Sequence, residues 1–250
     1  MKNSFSVAEV LQTAWDITRK NLLVLMGYSA VAFVSVITLQ LLSVFIMSTG
    51  NAFLNFIGLA IVLTGNSIAT LGFYKLTFKL IDDNENEDFD YKTLIPSWKN
   101  ISSFISITLL LGFIVATFTL IYNQLLKLNT FASYIETIKS TPYIIGILSF
   151  IAFIIFVLAV MRFMFFPCFI IDDNSTSFHS LSQSRELTYG NITRIVTVLL
   201  LVIGFIVVGF LSFGVGIIIT YPFTNVILVV TYRKLVYSYE VENSGEHLVK

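Results

Sequence analysis

Ser177–Leu201 reads SFHSLSQSRELTYGNITRIVTVLLL. A polar run of helical character stops at Gly190-Asn191 and gives way to a long uncharged apolar run. The same alternation recurs along the chain. It predicts polar-faced helices lying at a membrane border, each feeding helices that cross the bilayer.

The charges are distributed to match. Only 12% of the 250 residues are charged, against 56% hydrophobic, and the mean hydropathy is +0.85. Soluble domains carry roughly 25% charged residues. No Asp, Glu, Lys or Arg lies between Lys20 and Lys75, Lys99 and Lys127, Lys139 and Arg162, or Arg194 and Arg233. A crossing helix needs about 20 apolar residues. The first and last tracts hold two such spans and the middle tracts one each, so the sequence predicts six. The expected class is all-α and polytopic, with interfacial amphipathic helices.

Taken in order, Ser6 and Glu9 have capping-box spacing. Val7, Val10, Leu11, Ala14 and Trp15 then fall on one helical face, with Glu9, Gln12, Asp16, Arg19 and Lys20 on the other. This is the pattern of a helix lying in the interface. Spans are expected at about 22–47, 53–76, 101–125, 143–161, 192–211 and 217–236. Six carboxylates crowd Asp82–Asp90, but without the central Gly of a calcium loop, so they read as a solvated loop. Lys127–Ser140 reads as another loop, and Ser212–Gly216 as a tight turn. Pro167 should kink or end the fourth span. The stretch from 239 to 250 reads as a polar tail.

Basic residues set the orientation. With the N-terminus inside, thirteen of the fifteen Lys and Arg fall inside, and only Lys127 and Lys139 fall outside. Both termini are expected to be cytoplasmic, in the bacterial cytoplasmic membrane. Glu9 and Asp16 interrupt the first apolar residues, so no cleavable signal is expected and the first span serves as the anchor. Cys168 is the single cysteine, so no intramolecular disulfide can form. A formal net charge of zero gives no bias toward nucleic acid.

An internal repeat is also legible. Superposing Asn21 on Asn191 matches Leu11 with Leu181, Asp16 with Glu186, Ile17 with Leu187 and Thr18 with Thr188. Tyr74-Lys75-Leu76 and Tyr232-Arg233-Lys234-Leu235 end the second and sixth spans alike. Tyr91–Asn100, interrupted by Pro96, reads as a weaker third copy. The units are then about 5–80, 88–171 and 175–236 of one domain, residues 1–238. Each pairs a border helix with a two-span hairpin, and an even span count makes the units parallel.

Arg162, Pro167, Asp172, Leu181, Ser184, Leu187, Thr188, Gly190 and Asn191 carry a family pattern. In it the chain resembles a broad group of uncharacterised bacterial six-span proteins, including the membrane domain attached to some glycerophosphodiester phosphodiesterases. Ser180 and Arg185 depart from the pattern, which has Ala and Trp there. The resemblance implies a fold and a membrane, not a reaction.

Groups that carry chemistry are sparse. His179 and His247 are too few for a histidine-ligated iron or copper site. Neither a nucleophile elbow nor a P-loop occurs. No carboxylate lies mid-span, so no ion-coupling group is evident. No cofactor, metal or catalytic residue is expected, and hence no enzyme. Three residues remain as substrate-binding candidates. Asn66 and Asn225 lie at similar depth in spans two and six, where amides also serve as packing glue. Arg162 ends span four with apolar residues on both sides. It reads either as a snorkelling arginine or as a pore or headgroup contact. The leading expectation is a non-enzymatic scaffold, or a protein that handles a lipid or envelope component. The alternative is a permease subunit for a small or lipid-like solute. Membrane lipids are the expected partners, with a second copy or a cytoplasmic protein as further ones.

Overall fold

The structure, a computed structural model, describes residues 5–82, 91–127, 141–212 and 216–247. Residues 83–90, 128–140 and 213–215 hold most of the carboxylate run, the second loop and the tight turn, and lie outside the described residues. The described elements are all helical. In chain order they are α1 (Val7–Lys20), α2 (Leu22–Met47), α3 (Ala52–Asp82), α4 (Trp98–Leu126), α5 (Pro142–Phe163), α6 (Phe166–Asp172), α7 (Ser177–Leu187), α8 (Ile192–Leu211) and α9 (Ile217–His247). A single 3-10 turn, Tyr91–Leu94, precedes α4.

Five stretches are long and apolar enough to cross a membrane: α2, α3, Trp98–Leu125 of α4, Gly146–Asp172 through α5 and α6, and α8. At 1.5 Å per residue α2 is about 39 Å long, more than a hydrocarbon core of about 30 Å. The sixth expected span, Ile217–Val236, is helical but falls outside that set. Thr220, Tyr221, Pro222, Thr224, Asn225 and Thr231 dilute its apolar character. It tolerates them because α9 is the hub, packed against α1, α2, α3, α7 and α8. Thr224 and Thr231 satisfy their hydroxyls on carbonyls of their own helix, those of Tyr221 (2.9 Å) and Ile227 (2.7 Å). The helix also runs on through residues 237–247, most of the stretch read as tail. No proline stands there to stop it.

The core gathers at one end of the bundle. Leu25 at the start of α2, Phe73–Phe78 at the end of α3 and Ile101 and Ile107 at the start of α4 are buried, apart from Lys75. So are Met161 at the end of α5, Ile195–Val202 at intervals along the start of α8, and most of Val226–Leu235. The opposite halves of α2, α4 and α5 present Phe33, Phe45, Phe113, Phe118, Phe150 and Phe153 outward. Alternate helices therefore enter and leave the packed end. Trp15, Arg19, Lys20, Lys99, Arg162, Arg185, Arg194, Arg233 and Lys234 share it, and we call it the basic border.

Close approach elsewhere depends on missing side chains. Gly58, Gly65 and Gly72 recur every seven residues on the α3 face turned to α2. A Cβ at Gly65 would collide with Leu39 Cδ1, and one at Gly72 with the Tyr28 hydroxyl. Small residues allow the intimate contact that holds helices together in a membrane. Tyr28 fills the gap at Gly72 and donates to the Ala69 carbonyl (3.1 Å).

The matched junctions share a geometry. Asn21 has φ −113° and ψ 23°, and Asn191 has φ −115° and ψ 21°. Val10, Ala14 and Thr18 of α1 and Ser180, Ser184 and Thr188 of the α7 segment, each pair 170 positions apart, are all buried. Among the described residues of the middle stretch before α4, the place of a border helix is taken by the four-residue 3-10 turn, which Pro96 keeps from running on into α4. Asn100 sits inside α4 rather than at a junction. In that middle stretch, α4 packs on α3, α6 and α7, whereas α5 packs on α7 and α8.

Candidate functional site at the basic border

α9 is fastened at this border by three consecutive residues. Tyr232 is 1% exposed. Its ring meets Phe78, Phe165 and Phe169 at centroid distances of 5.7, 6.2 and 5.0 Å. Its hydroxyl donates to an Asp172 carboxylate oxygen at 2.9 Å. Arg233 donates to the same oxygen at 3.0 Å and also pairs with Asp82. Its guanidinium lies over the Phe78 ring, 4.7 Å from the centroid. Lys234 pairs with Glu9 of α1. One turn of α9 is thereby tied to α3, α6 and α1.

The capping box is half formed: the Ser6 hydroxyl makes no cap bond, but the Glu9 carboxylate accepts from the Ser6 backbone N–H. The Lys234 ammonium draws the carboxylate across to α9 and holds its pKa below the usual 4.5. A carboxyl depressed in the folded state contributes stability above the unfolded pKa and loses it as pH falls through the folded one. This tie therefore loosens on acidification.

A second fastening repairs a break. Pro167 has no N–H, and the helix run stops at Phe163 and restarts at Phe166 with Pro167 in its first turn. The freed backbone groups meet Ser184 of α7. Its hydroxyl donates to the Arg162 carbonyl (3.0 Å) and accepts from the Phe165 N–H (3.2 Å). Leaving a buried donor unsatisfied costs about 1–3 kcal/mol. Ser184→Ala is accordingly expected to lower unfolding free energy by roughly 1–3 kcal/mol, read by denaturation of the purified protein in detergent. No change would show that the break needs no repair. This also explains why α7 lacks a strong apolar stripe. Its buried face is Ser180, Ser184 and Leu187, two of them small and polar.

A third fastening joins α4 to the α6–α7 loop. Lys99 donates to the Asn174 carbonyl (2.7 Å), and the Asn100 amide donates to the Asn174 side-chain oxygen (3.2 Å). Asn174 has φ 51°, a left-handed conformation that Asn adopts more readily than most residues. Gln183 of α7 closes the loop: Ser175 donates to its side-chain oxygen (2.6 Å), and its amide donates to Asp173 (2.9 Å).

The three sequence candidates lie apart. Arg162 reaches the end of α7, with Nη1 3.5 Å from the Arg185 carbonyl and 3.5 Å from the Thr188 hydroxyl. It also lies 6.0 Å from the centre of the Tyr189 ring. Asn225 turns its amide back to the Tyr221 carbonyl of its own helix (2.8 Å). Asn66 is half-buried on α3, and no hydrogen bond joins it to Asn225. The residues of the family pattern, by contrast, largely meet in one corner. Arg162, Ser184 and Thr188 touch there, Leu187 is buried beside them and Gly190 turns the chain at φ 83°. Tyr232 and Arg233 were legible only as the matched ends of two spans. Their partnership with Asp172 joins residues 60 and 61 positions apart.

Among the described residues no group of three or more His, Cys, Asp or Glu is placed to hold a metal. Neither a family model, a curated protein nor a solved structure matches this chain. The border's function must therefore be argued from its chemistry.

Proposed function

We infer that this is a non-enzymatic protein of the bacterial cytoplasmic membrane that scaffolds or handles a lipid or other envelope component. The observation that carries this reading is how the border spends its polar groups. Tyr232, Arg233, Ser184, Gln183 and Asn100 bind other helices or loops of the same chain. They do not converge on a cleft. Outward from this bonded layer stand Trp15, Trp98, Phe178 and Tyr189, all exposed. Such aromatic residues favour the headgroup level of a bilayer. The charge count supports placing this border, with both termini, in the cytoplasm.

The test is to incubate the purified protein with lipids extracted from its host membrane and follow both by mass spectrometry. The reading expects lipids retained and chemically unchanged. Consumption of any lipid above the protein-free control would overturn it. The permease reading has no comparable support, since Asn225 is closed on its own helix.

A further inference from the structure

We propose that the corner formed by the end of α5 and the α7–α8 turn binds the phosphate of an anionic phospholipid headgroup, held by Arg162 and Arg185 with Tyr189 at its edge. The proposal rests on the scaffold reading and names the lipid class and the residues.

The first observation is charge without counter-charge. Arg233 and Lys234 are paired with carboxylates. Among the described residues, neither Arg162 nor Arg185 has a carboxylate within 4.0 Å. A guanidinium carries five N–H donors in a planar fork suited to phosphate. Arg162 uses only Nη1, in two long contacts of 3.5 Å, and leaves the rest of the fork unused by the chain.

The second observation is place. Arg162 closes a charge-free helix of 22 residues. Its guanidinium lies 3.5 Å from the Arg185 backbone carbonyl, so the end of α5 meets the last turn of α7, where Arg185 is exposed. Tyr189, 78% exposed, stands beside them. An arginine at the mouth of a span next to an exposed tyrosine is at headgroup depth.

The third observation selects the headgroup. A zwitterionic lipid brings an ammonium that needs an acidic partner. Asp172 is taken by Tyr232 and Arg233 and Asp173 by Gln183, which leaves Glu186, held only by the Ser182 hydroxyl (3.3 Å), as the carboxylate beside Arg185. The corner thus sets two guanidinium groups against one carboxylate, an excess of positive charge. It suits a headgroup of net negative charge, such as phosphatidylglycerol.

Arg194 supplies the control. It is as close to the α7–α8 turn in sequence, but it is engaged with Asn191 Oδ1 (3.3 Å) and lies 5.9 Å from the centre of the Phe5 ring. The full chain in detergent is titrated with phosphatidylglycerol, phosphatidylcholine and inorganic phosphate, with binding read by native mass spectrometry. Wild type is expected to prefer phosphatidylglycerol. R162Q/R185Q should weaken that binding roughly tenfold and R194Q less than about twofold, given the strength of charge-assisted pairs. R185Q alone removes an exposed side chain that makes no hydrogen bond or ion pair among the described residues and should weaken it roughly threefold. It keeps the test open should the double variant misfold. Three outcomes overturn the site: unchanged binding in both R185Q and the double variant, an equal loss in R194Q, or inorganic phosphate competing as well as the lipid. If lipid stays bound and unconsumed on the double variant, this site falls and the scaffold reading stands. If wild type consumes lipid, the scaffold reading falls whichever residues bind it.

Discussion

Tyr232→Ala is expected to lower the unfolding free energy by about 3–5 kcal/mol, the range for removing a large buried aromatic. The ring is 1% exposed, with three phenylalanine rings around it. Its removal opens a cavity where α9 meets α3 and α6 and strips a donor from Asp172. Tyr232→Phe separates the two losses. It keeps the ring and deletes only the hydroxyl, so it should cost about 1–3 kcal/mol, as for a hydrogen bond to a charged group. Denaturant unfolding of the three proteins in the same detergent gives both numbers. Equal losses in the two variants would mean that the Asp172 bond, and not packing, dominates. A loss below 1 kcal/mol in Tyr232→Ala would mean that this cluster is not the core of the fold.

Arg233→Gln is expected to cost about 2–3 kcal/mol. Breaking a fully buried pair costs roughly 3–5 kcal/mol. The lower figure is taken because the side chains are partly exposed, 31% for Arg233, 22% for Asp172 and 52% for Asp82. The substitution leaves two carboxylates facing the same vacated space. Arg233→Lys should recover only part of the loss, since a compact ammonium cannot reproduce a fork that spans two carboxylates and stacks on Phe78. Full rescue by lysine would show that only net charge is needed there.

Much of the architecture was legible because membranes impose simple rules. Long tracts without charge had to be helices, since lipid offers no partner for backbone groups. Pro167 marked a break, and the break is there. Pro142 suits a first helical turn, where no N–H is needed, and α5 starts on it. What stayed hidden depends on approach between distant segments. Nothing in the sequence distinguishes Ser184, which repairs a backbone 22 positions away, from a solvent-facing serine. Nothing near Arg233 announces Asp82, 151 positions earlier. The sequence counts Ile217–Val236 as a span like the others, whereas the fold makes that helix the centre of the packing. The amphipathic pattern of α1 reads as a helix lying in the membrane interface. In the fold Val10, Ala14 and Thr18 are buried, chiefly against α9, while Trp15 stays half-exposed with its ring edge on Phe223. The site candidates divide in the same way. Arg162 stood out because a charge beside apolar residues is costly, but its neighbours Arg185 and Tyr189 become visible as a group only when α7 is laid against α5.

The central claim is that a bonded, basic border faces the cytoplasm while charge-free helices carry the chain across the bilayer. Cysteine labelling in intact cells tests it most directly. On a Cys168→Ala background, Thr49→Cys marks the exposed α2–α3 turn and Asp16→Cys marks the exposed face of α1. A membrane-impermeant maleimide should label Thr49→Cys in intact cells and Asp16→Cys only after the membrane is opened. Labelling of Asp16→Cys in intact cells, or of neither position until the cells are opened, would contradict the account.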